Sequence, residues 1–169
     1  MKFTHLDSKG EAAQVRVAEK PTVYRCAKAT GFIRLSDEVL QKIKSDTIAK
    51  GNVLAVARIA GIGAAKKTAD LIPLCHSLIL DHVEISFVLK DDGIEVVASV
   101  VATAKTGVEM EALTAVQVAL LTIYDMCKAV DKNMRFENIY LKEKIKESFH
   151  VESSYCNYKR SSISRRKGR

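Results

Sequence analysis

The longest apolar pattern in the chain lies between residues 105 and 130, and it predicts one long helix. From Val108 to Val130 the residues are mostly Ala, Leu, Val, Met and Ile, without Pro or Gly. Apolar residues fall on nearly every side of such a helix, so we expect burial on more than one face. Thr106 and Glu109 form a Thr-x-x-Glu capping box, which predicts the start of the helix.

Alternating and helical patterns predict the remaining elements. Alternation of apolar and polar positions predicts strands over residues 22–35, 80–90, 93–104 and, briefly, 137–142. Two helices, over residues 36–49 and 53–68, follow the first strand, and Pro73 then interrupts helical structure. The order β-α-α-β-β-α-β predicts an α+β fold, a ferredoxin-like split βαβ with an additional helix, in which helices cover an antiparallel sheet.

Two glycines lie inside the second predicted helix, at Gly61 and Gly63. Each costs about 1 kcal/mol relative to Ala in a helix interior. Close approach of another helix or of a ligand would explain them, and a frayed or kinked helix end would explain them equally well.

Charged residues on the long, otherwise apolar helix need a partner or a use. Asp125 and Lys128 are three residues apart and therefore neighbours on one helix face, which makes them a candidate general acid/base pair. A buried Lys would lose basicity toward neutral pH. The alternative is an ordinary salt bridge on an exposed strip. Apolar neighbours such as Ile123 and Met126 favour the functional interpretation.

Glu111 lies within about 40° of the helix face that carries Asp125, but about 21 Å away along the axis. One copy of the helix therefore cannot bring both carboxyl groups into one small-molecule site, whereas a second, antiparallel copy could. This geometry predicts a site shared between subunits. Glu109 and Glu111 also have a simpler explanation, because acidic residues favour a helix N-terminus.

Length and charge predict one domain over residues 1–150, followed by a basic tail over residues 151–169. Residues 159–169 hold six basic and no acidic residues, and subtracting these six charges from +7 leaves +1 for residues 1–158. A short tail of this composition is expected to be disordered, with non-specific nucleic-acid contact as the minority alternative. We therefore expect no nucleic-acid partner.

The cysteines and the N-terminal sequence exclude several classes of protein. The four Cys residues lack C-x-x-C spacing, so neither a zinc site nor a disulfide framework is predicted. The first residues do not form the apolar core of a signal peptide, and the charges on the long helix argue against a membrane span. We expect a soluble, cytoplasmic protein without a metal or a membrane partner.

Basic side chains are numerous enough to bind a phosphorylated ligand, although no glycine-rich phosphate loop is present. The phosphates would be held by side chains instead. The candidates are Lys50, Lys66, Lys67, His76 and Lys128.

Specific motifs occupy residues 57–68, 70–78, 105–115 and 121–130. Together they closely resemble the cyclic pyranopterin monophosphate synthase family, which is the accessory protein C family of molybdenum cofactor biosynthesis. The similarity spans about residues 3–144. It implies an α+β ferredoxin-like subunit in a homohexamer, a trimer of dimers, with the active site at a subunit interface.

The resemblance also implies the reaction and the site. The implied substrate is 3′,8-cyclo-7,8-dihydroguanosine 5′-triphosphate, and the implied products are cyclic pyranopterin monophosphate and pyrophosphate, with no metal needed for the fold and no cofactor. Asp125 and Lys128 correspond to the acid/base pair. The residues implied to contact substrate or line its pocket are Leu74, Cys75, His76, Met110, Glu111, Glu109, Lys50, Lys66, Arg25 and Lys144.

The chain departs from the family pattern after its last predicted strand. The pattern there is Lys-Ser-Gly-Gly-Lys-Ser-Gly, whereas Lys144 is followed here by Ile-Lys-Glu-Ser-Phe-His. Gly fits backbone conformations that Ile and Lys do not adopt. The alternative function is therefore a non-catalytic relative that keeps the fold and the oligomer.

Overall fold

A computed structural model of the chain describes residues 9–148. Its elements in chain order are β1 (Val23–Arg34), α1 (Asp37–Lys44), α2 (Val53–Lys66), α3 (Thr68–Leu71), β2 (His82–Lys90), β3 (Gly93–Ala104), α4 (Glu109–Cys127) and β4 (Arg135–Glu147). The predicted order of elements is confirmed, with α3 as one additional turn before the loop that contains Pro73. The predicted basic tail lies outside the described residues.

The four strands form one antiparallel sheet in the order β2-β3-β1-β4. Helix α4 lies against β1 so closely that a Cβ at Gly31 would be 2.8 Å from side-chain atoms of both Val116 and Leu120. Both of these residues are buried in the core between helix and sheet. The α+β fold with helices packed on an antiparallel sheet is therefore confirmed.

Helix α2 packs antiparallel beside α4. Lys50, just before α2, reaches Asp125 near the end of α4, and Gly61 lies against the middle of α4. A Cβ at Gly61 would be 3.0 Å from the carbonyl oxygen of Ala115, whereas a Cβ at Gly63 would meet nothing within 4 Å. Close helix approach therefore explains Gly61 but not Gly63.

The start of α4 differs from the predicted capping box. The helix begins at Glu109 with Val108 at the N-cap, and no side chain caps it. Val108 is buried, so core packing fixes where the chain enters the helix. The Glu109 carboxylate forms an ion pair with Lys144 instead of bonding back to Thr106. The capping-box prediction was wrong, because the helix begins after Val108 rather than Thr106 and Glu109 pairs with a cation on β4.

Two further boundaries differ from the sequence prediction. Helix α1 ends at Lys44 rather than near residue 49, and Asp46 has a positive φ of 53° that is incompatible with helix continuation. Strand β4 is longer than predicted, because residues 143–147 continue the ladder with β1 instead of forming a loop.

Helix α4 is long and apolar enough, by length and composition, to cross a membrane, with a mean hydropathy of 1.3. Within the described chain 56% of its most apolar stretch is buried. A buried core helix meets the same criteria, and Ala115, Ala119 and Ile123 are fully buried here. The helix is thus weak evidence for a membrane span.

Candidate active site

A cavity of about 430 Å³ lies between the loop that follows α3 and the N-terminal end of α4. Pro73 ends helical structure and turns the chain into this loop, while the start of α4 forms the opposite wall. The lining residues are Ile72, Leu74, Cys75, His76, Leu78, Thr106, Gly107, Glu109, Met110 and Glu111. The structure therefore brings together six of the residues that the sequence resemblance assigned to the substrate pocket.

The segment that precedes β1 holds the loop in place. Gln14 donates a hydrogen bond of 2.8 Å to the carbonyl oxygen of Cys75, and Nε2 of His76 lies 2.8 Å from the carbonyl oxygen of Val15. Because a carbonyl oxygen only accepts, this contact places a proton on Nε2 of His76. The imidazole is therefore fixed in orientation at the cavity wall.

Glu111 is the buried carboxyl group of the cavity, with only 4% of its surface exposed. Burial raises its pKa above the ordinary value, and the neighbouring charge of Glu109 raises it further. The pKa of the Cys75 thiol is also raised, first by burial and then by the charge of Glu111. The cavity thus raises the pKa of both groups.

Basic side chains surround the same end of α4. Lys144 forms an ion pair with Glu109, and the Nη2 of Arg25 donates a 3.4 Å hydrogen bond to the carbonyl oxygen of Lys105. Within residues 9–148, the buried Nε of Arg25 has no hydrogen-bond partner. Lys66 is exposed at the C-terminal end of α2, which lies beside the N-terminal end of α4 because the two helices are antiparallel.

The acid/base candidates lie at the other end of α4. Nζ of Lys128 is 2.7 Å from Oδ1 of Asp125, and Nζ of Lys50 is 2.9 Å from Oδ2 of Asp125. Lys50 also donates to the backbone carbonyl oxygen of Asp125 at 2.7 Å. One carboxylate therefore holds two ammonium groups.

This cluster is exposed in the single chain, with 56% of the Asp125 side chain and 54% of the Lys128 side chain accessible to solvent. Hydrogen bonds from Lys128 and Lys50 lower the pKa of Asp125 to about 2. The hydrogen bond to Asp125 raises the pKa of Lys128. The expectation of a buried Lys128 with reduced basicity is wrong for the chain alone, because water and a carboxylate surround the ammonium rather than apolar groups.

Glu111 and Asp125 are thus carried by one uninterrupted helix, about 21 Å apart along its axis. Their environments differ as well, since Glu111 is buried and Asp125 is exposed. A single chain holds the two groups of predicted site residues apart.

The sequence pattern of the MoaC family matches residues 14–147, which is most of the chain. The chain belongs to the MoaC family. The cyclic pyranopterin monophosphate synthase of Novosphingobium aromaticivorans is 57% identical over 142 residues, covering 84% of this chain and 90% of the relative. The protein with that name from Thermomicrobium roseum is 54% identical, covering 84% and 87%. A Mycobacterium tuberculosis relative, cyclic pyranopterin monophosphate synthase 1, is 52% identical, covering 84% of each chain.

This MoaC family member has cavity residues that the sequence did not reveal. Ile72, Leu78, Thr106 and Gly107 line the cavity, and only their position beside the recognised motifs could have indicated it. Within the described residues, no group of three or more His, Cys, Asp or Glu side chains is arranged to hold a metal ion.

Proposed function

We propose that this MoaC family protein converts 3′,8-cyclo-7,8-dihydroguanosine 5′-triphosphate to cyclic pyranopterin monophosphate and pyrophosphate, a step of molybdenum cofactor biosynthesis. The observation that carries the proposal is the sequence identity of 52–57%, over 84% of the chain, to proteins named cyclic pyranopterin monophosphate synthase. The arrangement of residues along α4 supports it. The cavity at the N-terminal end offers a binding site, and the Asp125 cluster at the C-terminal end offers groups for proton transfer.

The cavity at the N-terminal end of α4 binds the substrate. Its walls are largely apolar, and Cys75, His76 and Glu111 offer hydrogen-bonding groups to the nucleotide-derived ring. Arg25 and Lys144, with Lys66 on the neighbouring helix end, supply positive charge for the triphosphate. Leu74 and Met110 provide apolar contact, and Glu109 positions Lys144.

The cluster at the C-terminal end transfers protons. Lys128 carries its proton at neutral pH, since its pKa is raised, so it acts first as a proton donor. Asp125 is ionised and holds both Lys128 and Lys50 in position. When a partner subunit covers the cluster, desolvation lowers the pKa of Lys128 and makes proton release and recapture easier.

The complete site needs a second copy of the chain. A partner related by a two-fold axis that crosses α4 perpendicularly near its middle would place the C-terminal end of its α4 beside the N-terminal end of the first. Exposed apolar residues on the helix layer support such a contact: Leu121 on α4 is 57% exposed, and Val56 and Ile59 on α2 are 43% and 72% exposed. We propose a homohexamer, built as a trimer of dimers, that acts in the cytoplasm.

Incubation of the purified protein with the cyclised GTP derivative tests the proposed function. Pyrophosphate and the pterin product should appear together in equal amounts, and light scattering should give the mass of a hexamer. A folded hexamer that binds the substrate but releases no pyrophosphate would support the non-catalytic alternative instead.

A further inference from the structure

The last strand carries two lysines on one face near the substrate cavity. In the ladder between β4 and β1, Lys144 is opposite Ala27 and Lys146 is opposite Arg25. The register shifts of this ladder lie further along, beyond Lys28, so pairing is regular over residues 144–147. Because alternate residues of a strand share a face, Lys144 and Lys146 project to the same side of the sheet.

That side is the one covered by α4. Lys144 forms its ion pair with Glu109, the first residue of α4, and Arg25 bonds to the carbonyl oxygen of Lys105, just before the cavity wall at Thr106. Directly opposite residues in an antiparallel pair have Cβ atoms about 4.5–5.5 Å apart. Lys146 therefore lies beside Arg25, at the N-terminal end of α4.

The charges at this position do not balance. Glu109 offsets Lys144, and Glu143 and Glu147 project to the opposite face of the strand. Among residues 9–148, no acidic side chain forms an ion pair with the exposed Lys146. A positive surplus therefore remains at the N-terminal end of α4, where the helix dipole adds to it.

Backbone pairing limits what the main chain of residues 145–147 can offer a phosphate. The family pattern has glycines after the lysine that corresponds to Lys144, and exposed backbone N–H groups of glycine segments bind phosphate well. In this chain residues 145–147 belong to strand β4, and the ladder to β1 uses alternate backbone N–H groups. An ammonium group on the side of the strand that faces α4 can contact a phosphate instead.

We propose that Lys146 binds the phosphate groups of the substrate at the N-terminal end of α4, replacing the glycine-rich segment of the family pattern. The inference rests on the proposed function for the identity of the phosphorylated ligand. The contact is an ammonium with a triphosphate, which is a charge-assisted hydrogen bond and is strong when partly shielded from water. Lys146 is thus a specificity residue for the triphosphate, and Asp125 and Lys128 remain the proton-transfer pair.

The test compares Lys146→Ala with Lys142→Ala in the full chain. Lys142 is a matched control because it is exposed on the same strand and carries the same charge, but lies at the register shift between Leu141 and Glu143, four residues from Lys146. Lys146→Ala should raise KM for the cyclised triphosphate about tenfold, with a much smaller change in kcat, as the loss of one charged hydrogen bond predicts. Lys142→Ala should leave KM near the wild-type value, and Lys146→Arg should restore most of the affinity.

Titration with inorganic triphosphate separates this inference from the proposed reaction. If the wild type binds inorganic triphosphate and Lys146→Ala weakens that binding about tenfold, the phosphate site stands even when no pterin is formed. The inference is overturned if Lys146→Ala leaves both KM and triphosphate affinity unchanged, or if Lys142→Ala weakens them equally. It is also overturned if the wild type binds no inorganic triphosphate. An unchanged thermal transition in Lys146→Ala shows that the strand is intact.

Discussion

The two ends of α4 treat a carboxyl group in opposite ways. At the N-terminal end Glu111 is buried at the wall of a cavity, and burial raises its pKa. At the C-terminal end Asp125 is exposed between two ammonium groups, which lower its pKa to about 2. Residue type therefore does not decide the behaviour of these acids, whereas burial and the sign of the nearest charge do.

The difference is the reason for proposing that a complete site combines both ends. The cavity offers binding surface and a fixed imidazole, and burial raises the pKa of its Glu111 carboxyl and Cys75 thiol groups. The exposed cluster offers charged groups for proton transfer, but water surrounds it in the single chain. A two-fold partner would join unlike ends, so that each site receives a cavity from one subunit and a proton-transfer pair from the other.

Removing Lys128 should have the largest effect, because it takes away the proposed proton donor at the C-terminal end of α4. Lys128→Ala should lower kcat about 10²–10⁴-fold, because a positioned general acid or base contributes that much to a rate. Lys128→Arg should not restore the rate, since a guanidinium keeps its proton at any working pH. Single-turnover pyrophosphate release, measured against pH, gives the result.

Lys132→Ala is the matched control for Lys128, because Lys132 is also exposed, lies four residues further along the chain and lines no described cavity. It should turn over at the wild-type rate. If Lys128→Arg retained the wild-type rate across the pH range, Lys128 would act as a fixed charge and not as a proton donor.

Mixing two inactive variants tests whether the ends come from different chains. Glu111→Ala and Asp125→Ala should each be inactive as homomers. After exchange of equal amounts, a symmetric dimer predicts that roughly a quarter of all sites combine an intact cavity with an intact pair. Turnover should recover to that fraction, with subunit exchange verified by mass spectrometry of differently tagged chains. Complete exchange without recovery would contradict the shared site.

Much of this arrangement follows from sequence, because local signals agree with the final contacts. Alternation predicted β1, β2 and β3 to within two residues, and Asp91 and Asp92 form the turn that joins β2 to β3. The i,i+3 spacing placed Asp125 and Lys128 on one helix face, and the structure joins them in an ion pair of 2.7 Å. These features depend on residues that are close in sequence, so they can be predicted from the sequence alone.

Features that depend on distant partners were not predictable in the same way. The ion pair between Glu109 and Lys144 displaced the expected capping box, and it joins residues from α4 and β4. The extension of β4 required a partner strand, β1, that begins more than a hundred residues earlier. The exposure of Lys128 was not predicted, because the apolar residues near it in sequence lie on other faces of α4, and those faces pack against the core.

A larger side chain at the contact between α2 and α4 should destabilise the fold. Gly61→Val adds a side chain where even a Cβ would lie 3.0 Å from the carbonyl oxygen of Ala115, so we expect a loss of about 1–3 kcal/mol in unfolding free energy. Gly63→Ala is the control, because a Cβ there meets nothing within 4 Å. It should stabilise the helix by up to about 1 kcal/mol. Urea unfolding followed by circular dichroism measures both, and equal destabilisation would contradict the close approach.

The smallest expected effect concerns the pKa of Asp125. Lys50→Met removes one of its two cationic partners but keeps an aliphatic side chain, so the pKa should rise from about 2 toward the ordinary 3.8 without reaching it, since Lys128 remains. A lowered carboxyl pKa stabilises the folded state above the ordinary value, and this contribution disappears as the pH falls from about 3.8 toward about 2. The variant should therefore lose less stability than the wild type over that acidic range.

Carbon-13 NMR titration of the Asp125 carboxyl group measures its pKa directly. Lys42→Met is the control, because Lys42 lies on the exposed surface of α1, and it should leave the pKa of Asp125 unchanged. An unshifted Asp125 in Lys50→Met would mean that Lys128 alone holds the carboxylate, and the cluster would then contain one functional pair instead of three coupled groups.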